Sequence, residues 1–273
     1  MFEARRRQST LAVILSMLEL TYITAVRKVR QAHGNAMVGL LMNVLQAVLF
    51  VAAFYMMFAI LGLRSAAIRG NFIVYLLSGI YLYLTHIKAM MAIMQAEGPA
   101  SPMMQHAPMN TLVAILSSAL QVLYLQTLAL LIIIFFVHTL IEPVSIANWP
   151  AAFGMYLLAW FSGIAVGMVL RAAKPWMPDV VTILQSVWTR ANMIASGKMF
   201  VANSLGSGMV AMFAWNPLFH IIDQARGFTF ADYVPRYTNW EYAFYVCVAL
   251  TLIGFIGEHV TRQYASASWN ARR

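Results

Sequence analysis

In the segment "WNPLFHIIDQAR", Trp215 to Arg226, an imidazole, a carboxylate and a guanidinium follow one another at His220, Asp223 and Arg226. On a helix, a spacing of three residues brings such groups to one face, and Asp223 and Arg226 come near enough to pair. Their chemistry is hydrogen bonding, gating or proton relay. A metal site is not expected, because one histidine and one carboxylate supply too few ligands.

A second group of polar residues, Arg190, Asn192 and Lys198, lies in an otherwise apolar segment. Charges in such a place line a path for an anionic cargo, snorkel, or pair with Asp179 or Asp223. Tyr55, Tyr81 and Tyr83 offer flat apolar faces with polar tips, suited to stacking on sugars or to packing helices together. The nine acidic residues are scattered singly, so no carboxylate cluster of a membrane-embedded glycosyltransferase or phosphatase is present. The stretch "SGKM" has Asn192 and Met199 where a phosphate-cradling loop needs glycine and a hydroxyl, so ATP hydrolysis is not expected on this segment.

The elements that carry these residues are read from hydropathy. Of the 273 residues, 62% are hydrophobic and 10% charged, against roughly 25% charged in a soluble domain. A helical membrane protein with no separate soluble domain is expected, with approximate spans at 37–61, 71–95, 111–137, 149–170, 180–200 and 242–259. The fifth is irregular, because Arg190, Asn192, Lys198 and several glycines interrupt it. Lys88 near the end of the second span is expected to snorkel. No secretory cleavage site is evident in the first 35 residues, and the N-terminus is read as retained. Cys247 stands alone and is read as a small buried hydrophobe.

Residues 1–33 contain an amphipathic stripe, Leu11, Leu15, Leu18, Tyr22, Val26 and Val29, between Arg5, Arg6, Arg7 and the closing Arg27, Lys28 and Arg30. Glu19 and two basic clusters make it a poor span and a good interfacial helix. With both termini cytoplasmic, Arg171, Lys174, Arg262, Arg272 and Arg273 fall on the same side as these clusters, and the short outer turns hold only Arg64 and Arg69. The net charge of +9 is thus read as topology and contact with anionic lipid rather than nucleic acid.

Asn216 suits an N-cap, Pro217 the first helical turn and Gly227 the C-cap of a helix over 216–226. About ten residues rise only about 15 Å, half a bilayer. Residues 201–227 are therefore expected to form re-entrant or interfacial helices on the external side. Beyond them, Phe228, Phe230, Tyr233, Tyr237 and Trp240 form an aromatic belt or a surface for sugar rings.

Ser196 and Gly197 in a broken fifth segment, followed by Asn216, Pro217, Leu218, His220, Asp223 and Arg226, resemble the ABC-2 permeases. Among them the pattern is most similar to the subunits that export capsular polysaccharide, O-antigen or teichoic acid. Those often carry Glu at the position of Asp223, and aromatic and Leu-Pro residues where this chain has "KMFVANSLGSGMVAMFAW". The architectural likeness extends over nearly the whole chain, the motif over about thirty residues.

The resemblance implies one transmembrane domain over 1–273: an N-terminal cytoplasmic helix, six transmembrane helices and an external re-entrant hairpin before the last, in a bacterial inner membrane. It implies a homodimer working with separate ATP-binding subunits that carry the ATP and Mg, a lipid-linked polysaccharide as cargo, and periplasmic or outer-membrane export components as further partners. No cofactor is expected on this chain. Glu97, Pro102 and His106, in the 96–110 loop, would couple to the ATPase; Tyr55, Tyr81, Tyr83, Arg190 and Lys198 would line the path; Asn216, Pro217, His220, Asp223 and Arg226 would form an external gate helix. The alternative is a permease of the same kind for another amphiphile, such as a drug or lipo-oligosaccharide. A secondary transporter would show paired broken helices in two halves, and only one half of this chain is broken.

Overall fold

The computed structural model describes residues 10–31, 35–62, 68, 70–97 and 110–268. Among them the chain forms α-helices, short 3-10 turns and no strand: α1 (Thr10–Gln31), α2 (Ala36–Ile60), α3 (Phe72–Met94), α4 (Thr111–Leu140), α5 (Trp149–Ala173), α6 (Pro178–Ala195), α7 (Ser207–Phe213), α8 (Pro217–Thr229) and α9 (Trp240–Ser268). Asparagine starts five of them. The side chains of Asn35, Asn71, Asn110, Asn148 and Asn216 accept from the first free N–H groups of α2, α3, α4, α5 and α8, donors that no carbonyl of the helix can reach.

Five helices, α2, α3, α4, α5 and α9, are long and apolar enough to cross a membrane. This suggests a multi-pass membrane protein. The segment expected as the irregular fifth span is instead an 18-residue amphipathic helix, α6, ending at Ala195, with a turn after it. Asp179, Gln185, Thr189, Arg190 and Asn192 lower its hydropathy, so it is not among the five.

The helices alternate in direction. His86 and Met90 of α3 lie against Gly163 and Gly167 of α5, and Met168 and Ala172 of α5 lie against Gly254 and Gly257 of α9. Rising numbers meet rising numbers, so α3, α5 and α9 run parallel. Asn43 and Tyr55 of α2 meet Lys88 and Phe72 of α3 in reversed order, and Ala119 and Thr127 of α4 meet Trp160 and Tyr156 of α5 in reversed order. Hence α2 and α4 run opposite to α3, α5 and α9.

Glycine permits these contacts. A Cβ on Gly163 would come within 2.2 Å of the His86 carbonyl, and one on Gly167 within 2.7 Å of the Met90 carbonyl. Small residues four apart let helix backbones approach where hydrocarbon offers no hydrophobic drive to associate. The core thus centres on α3, with Tyr75, Leu76, Ile80, Tyr81, Met90 and Ile93 at 3% exposure or less.

The C-terminal ends of α3, α5 and α9 are tied by one side chain. Arg171 Nε donates to Glu258 Oε2 at 3.2 Å, and its other nitrogens donate to the carbonyls of Ala96 at 2.9 Å and Glu97 at 2.7 Å. This is the one ion pair among the described residues and it is buried. Glu258 therefore joins α9 to α5. Lys174 adds a contact with the Met94 carbonyl at 3.5 Å.

Lys88 does not snorkel. It donates to Asn43 Oδ1, while Asn43 Nδ2 donates to Gln126 Oε1 at 2.6 Å and to the Leu125 carbonyl at 3.1 Å. The reason is depth: α3 continues six residues, about 9 Å, beyond Lys88, and the polar groups of α2 and α4 are nearer than its end.

Glu258→Leu leaves the Arg171 guanidinium buried without its counter-charge and should cost about 3–5 kcal/mol, whereas adding Arg171→Met should restore much of that loss. Thermal unfolding of the purified chain in detergent reads both; an unchanged midpoint for Glu258→Leu would show that the pair contributes nothing.

Candidate functional site

Of the residues singled out between 190 and 226, all but Arg190 meet at one end of α3, in a polar cluster made of α6, the turn 196–204 and α8. Asn192 stands near the end of α6 and is buried, with Nδ2 bonded to the Trp188 carbonyl at 3.0 Å and Oδ1 accepting from Asn216 Nδ2 at 2.8 Å. Asn216 thus does two things at once. Its Oδ1 caps α8 through the Leu218 N–H, and its amide nitrogen holds the end of α6 through Asn192 and the Ala195 carbonyl.

After Ala195 the chain turns at Gly197, whose φ of +71° favours glycine and whose missing Cβ leaves space for the Phe219 ring. The turn leaves three carbonyls pointing inward, of which only that of Gly197 meets a backbone N–H, from Phe200 at 3.3 Å. Arg226 receives them all. One terminal nitrogen donates to Gly197 at 2.8 Å and Phe200 at 2.5 Å, the other to Lys198 at 2.6 Å, and the guanidinium lies 4.4 Å from the Tyr75 ring centroid. A planar fork with several donors suits this task, which a lysine ammonium cannot perform with the same geometry.

Asp223 and Arg226 do not pair. The helix offered that contact, but each has better partners elsewhere: Asp223 Oδ1 accepts from Tyr233 Oη at 2.6 Å and from the Ala202 N–H at 3.3 Å, and Oδ2 accepts from Thr238 Oγ1 at 2.8 Å. Burial, and next the Asp223 charge, push the Tyr233 phenol well above its ordinary range, so it stays a donor. Tyr233 and Phe230 are therefore buried, while Tyr237 and Trp240 of the same aromatic group face outward.

His220 bridges α8 to its two flanks. Its Nδ1 accepts from the Asn239 N–H at 2.9 Å, which requires a lone pair there, so Nε2 carries the proton and donates to the Ala214 carbonyl at 2.7 Å. Burial lowers its pKa, against the opposing pull of the Ala214 carbonyl and Asp223. This is a neutral structural imidazole, with Tyr242 alongside at 4.7 Å between centroids.

The helix carrying these groups differs from expectation in two ways. It runs from Pro217 to Thr229, through Gly227 rather than stopping there, because Gly227 is helical and its bare Cα lets the Pro235 ring lie where a Cβ would be 2.6 Å away. It is also buried on both faces, His220, Asp223 and Arg226 as well as the apolar residues, with Gln224 half-buried.

Lys198 is fully buried. No hydrogen-bond acceptor meets its Nζ; instead it sits 3.9 Å from the Tyr83 ring centroid, 4.8 Å from Phe54 and 5.2 Å from Phe50, an arrangement in which ring quadrupoles stabilise the cation. A Cβ on Gly79 of α3 would stand 2.5 Å from the Lys198 carbonyl and 2.7 Å from the Arg226 guanidinium, so the close approach needs glycine there. Tyr83 also donates to the Thr189 carbonyl at 3.0 Å, tying α3 to α6.

The remaining candidates are dispersed. Tyr81 faces away from this cluster, donating to the Gln126 carbonyl beside Tyr156. Tyr55 is 41% exposed on α2, and Arg190 is exposed on α6. Glu97 lies at the end of α3 with its carbonyl held by Arg171; Pro102 and His106 fall outside the described residues. No cluster of metal ligands occurs among the described residues.

A polar group missed in the sequence links α3, α5 and α6. Trp188 Nε1 donates to His86 Nε2 at 3.0 Å, so His86 Nδ1 carries the proton and donates to Ser162 Oγ at 2.7 Å. No local pattern announces it, since its members lie 76 and 102 residues apart.

Two outcomes follow from this geometry. Arg226→Lys leaves turn carbonyls without donors, each costing roughly 1–3 kcal/mol, and Gly79→Ala forces the same turn off α3; both should lower the unfolding midpoint and speed proteolysis within 196–204, whereas Arg190→Gln on the exposed face should do neither. His220 takes up its proton less readily in the native chain than in the unfolded one. Stability is therefore full above about pH 6.5 and falls as the pH drops below it. Unfolding midpoints measured from neutral to mildly acid pH should show this slope, and His220→Gln should make it shallower.

No family model matches this chain, and no curated protein matches it.

Proposed function

We propose that this chain is the permease subunit of an ABC exporter of the ABC-2 kind. It moves a lipid-linked polysaccharide, of capsular or O-antigen type, outward across a bacterial inner membrane. It works as a homodimer with two separate ATP-binding subunits that hydrolyse the ATP.

The observation that carries this reading is the unit built from Ser196, Gly197, Asn216 and Arg226. Those residues bear the resemblance, and Asn216 and Arg226 bind α6 and the turn after it into one polar block against α3. Such a block suits an external gate that moves as a body when the helices beneath it tilt. The alternating directions of the helices support the topology: α6 meets α3 in reversed order, Trp188 with His86 and Thr189 with Tyr83, so α6 rises with α2 and α4. With α6, α7 and α8 together making one further crossing, α9 runs parallel to α5 and ends on the side where α2 begins, which fits two cytoplasmic termini. The positive-inside distribution agrees.

Two further features support a dimer around a path. Much of α2 and α6 presents apolar side chains outward, Leu41, Leu45, Leu49 and Met56 on one and Ile183, Val187 and Ile194 on the other. Tyr55 and Arg190 belong to these same helices, and an anionic glycan would find both there. On the opposite side, Arg171 joins the end of α3, from which the 96–110 loop departs, to α5 and α9. Closure of the ATP-binding subunits against that loop would therefore move three helices together.

Purification of the chain from its native membrane in mild detergent should bring down an ATPase with a phosphate-binding glycine-rich loop near one to one, and a preparation without one removes this reading. In the reconstituted complex, Glu97→Ala should keep ATP hydrolysis while cutting glycan export about tenfold, the size of an ordinary coupling free energy; parallel loss of both would place Glu97 in assembly rather than coupling.

A further inference from the structure

Two cavities adjoin one stripe of α4. The first, about 630 Å³, lies between α1 and α4 and is lined by Tyr22, Val29, Arg30, Gln121 and Tyr124. The second, about 390 Å³, continues along α4 between α3 and α5, lined by Leu131, Ile134, Phe153 and Trp149. Thr127 lines both. Residues 120 to 134 cover about 21 Å of helix, more than the ~15 Å that one leaflet contributes to the hydrocarbon core.

The chemistry changes along this length. At the α1 end stand the Arg30 guanidinium, the Gln121 amide and two tyrosine hydroxyls, with Arg27 exposed on the same helix. Lys28, beside them, is engaged inward: it donates to the Ala114 carbonyl at 3.2 Å and to Ser118 Oγ at 2.6 Å, fixing α1 against α4. Past Thr127, whose hydroxyl is taken by Tyr156 at 3.0 Å, the lining is almost wholly apolar until the exposed Trp149. A cationic, hydrogen-bonding mouth and a long apolar trough match one class of molecule: an anionic head on a hydrocarbon chain. Arginine pairs with phosphate through its fork, and basic sites between membrane helices hold acidic lipid heads.

We propose that the α4 groove is a binding site for an anionic glycerophospholipid of the surrounding bilayer, with its phosphate at Arg30 and one acyl chain laid along Tyr124, Thr127 and Leu131 towards Trp149. The bound lipid fills the space between α1 and α4 and keeps α1 seated. The site is separate from the polar block of α6 and α8, and it stands whether or not the chain serves an exporter.

The test uses the full chain in phosphatidylcholine nanodiscs carrying a trace of phosphatidylglycerol or phosphatidylcholine with a diazirine at the end of one acyl chain. After illumination, the adducts are located by peptide mass spectrometry. The expected result is labelling within 120–134 and 146–156 that is about fivefold stronger for phosphatidylglycerol, the factor that one arginine near a membrane surface supplies. Arg30→Gln, at an exposed position, should bring it down to the phosphatidylcholine level. Leu131→Trp should abolish labelling beyond residue 130 and keep that near Tyr124. Equal labelling by the two lipids, labelling of α2 and α9 as strong as that of the groove, or an Arg30→Gln pattern like the wild type would overturn the proposal. So would displacement of the phosphatidylglycerol probe by an isoprenoid phosphate at equal concentration, which would give the groove to a carrier lipid instead.

Discussion

The guanidinium of Arg226 supplies hydrogen bonds that the backbone at 197–200 leaves open, the one internal bond there being the Phe200 N–H to the Gly197 carbonyl at 3.3 Å, and the arrangement of α3, α6 and α8 depends on it. A turn buried among apolar helices exposes carbonyls where water does not reach, and each would be costly if left unpaired. One side chain with a rigid fork answers three of them. Its position then fixes what surrounds it: Tyr75 beneath the fork, Gly79 because nothing larger fits, and α8 held at the height that lets Arg226 reach the turn.

The same demand recurs wherever polar groups are buried. Arg171 takes the carbonyls of Ala96 and Glu97 at the end of α3 as Arg226 takes those of the turn, and it needs Glu258 to balance its charge. Asn43 stands between Lys88 and Gln126, and His86 between Ser162 and Trp188. These links differ from the apolar contacts in one respect. Packing through glycine and alanine tolerates small sliding of one helix past another, whereas a hydrogen bond in a low-dielectric setting is lost at once when its partner moves. The polar links therefore set the register of the helices, and the glycine contacts let the backbones come close enough to form them.

A division of labour results between the two ends of the bundle. At one end the charged side chains join the termini of α3, α5 and α9 into a single body. At the other, α8 lies enclosed among α3, α5 and α9, with Asp223 gathering Tyr233, Thr238 and the turn at Ala202. Between the ends, α2 and α6 leave much of their surface uncovered by the rest of the chain, and α1 is attached to α4 through Lys28 and a groove rather than a continuous core.

The all-helical class, the length and apolarity of five helices, the breaks at glycine and proline, and the cap at Asn216 were legible in the sequence, because each is set by residues within a few positions of one another. The end of α8 was not, since Gly227 serves packing against Pro235 rather than termination. Nor was the amphipathic character of α6 as a separate helix, whose polar residues had been read as interruptions of a span. The polar partnerships were decided by tertiary structure alone. The spacing of Asp223 and Arg226 made a local pair available, but their actual partners lie 10 to 29 residues away, and Arg171 and Glu258 meet across 87 residues. A helix fixes which groups can touch along its own surface; only the packing of several helices decides which buried group has no water to turn to, and hence which bond must form.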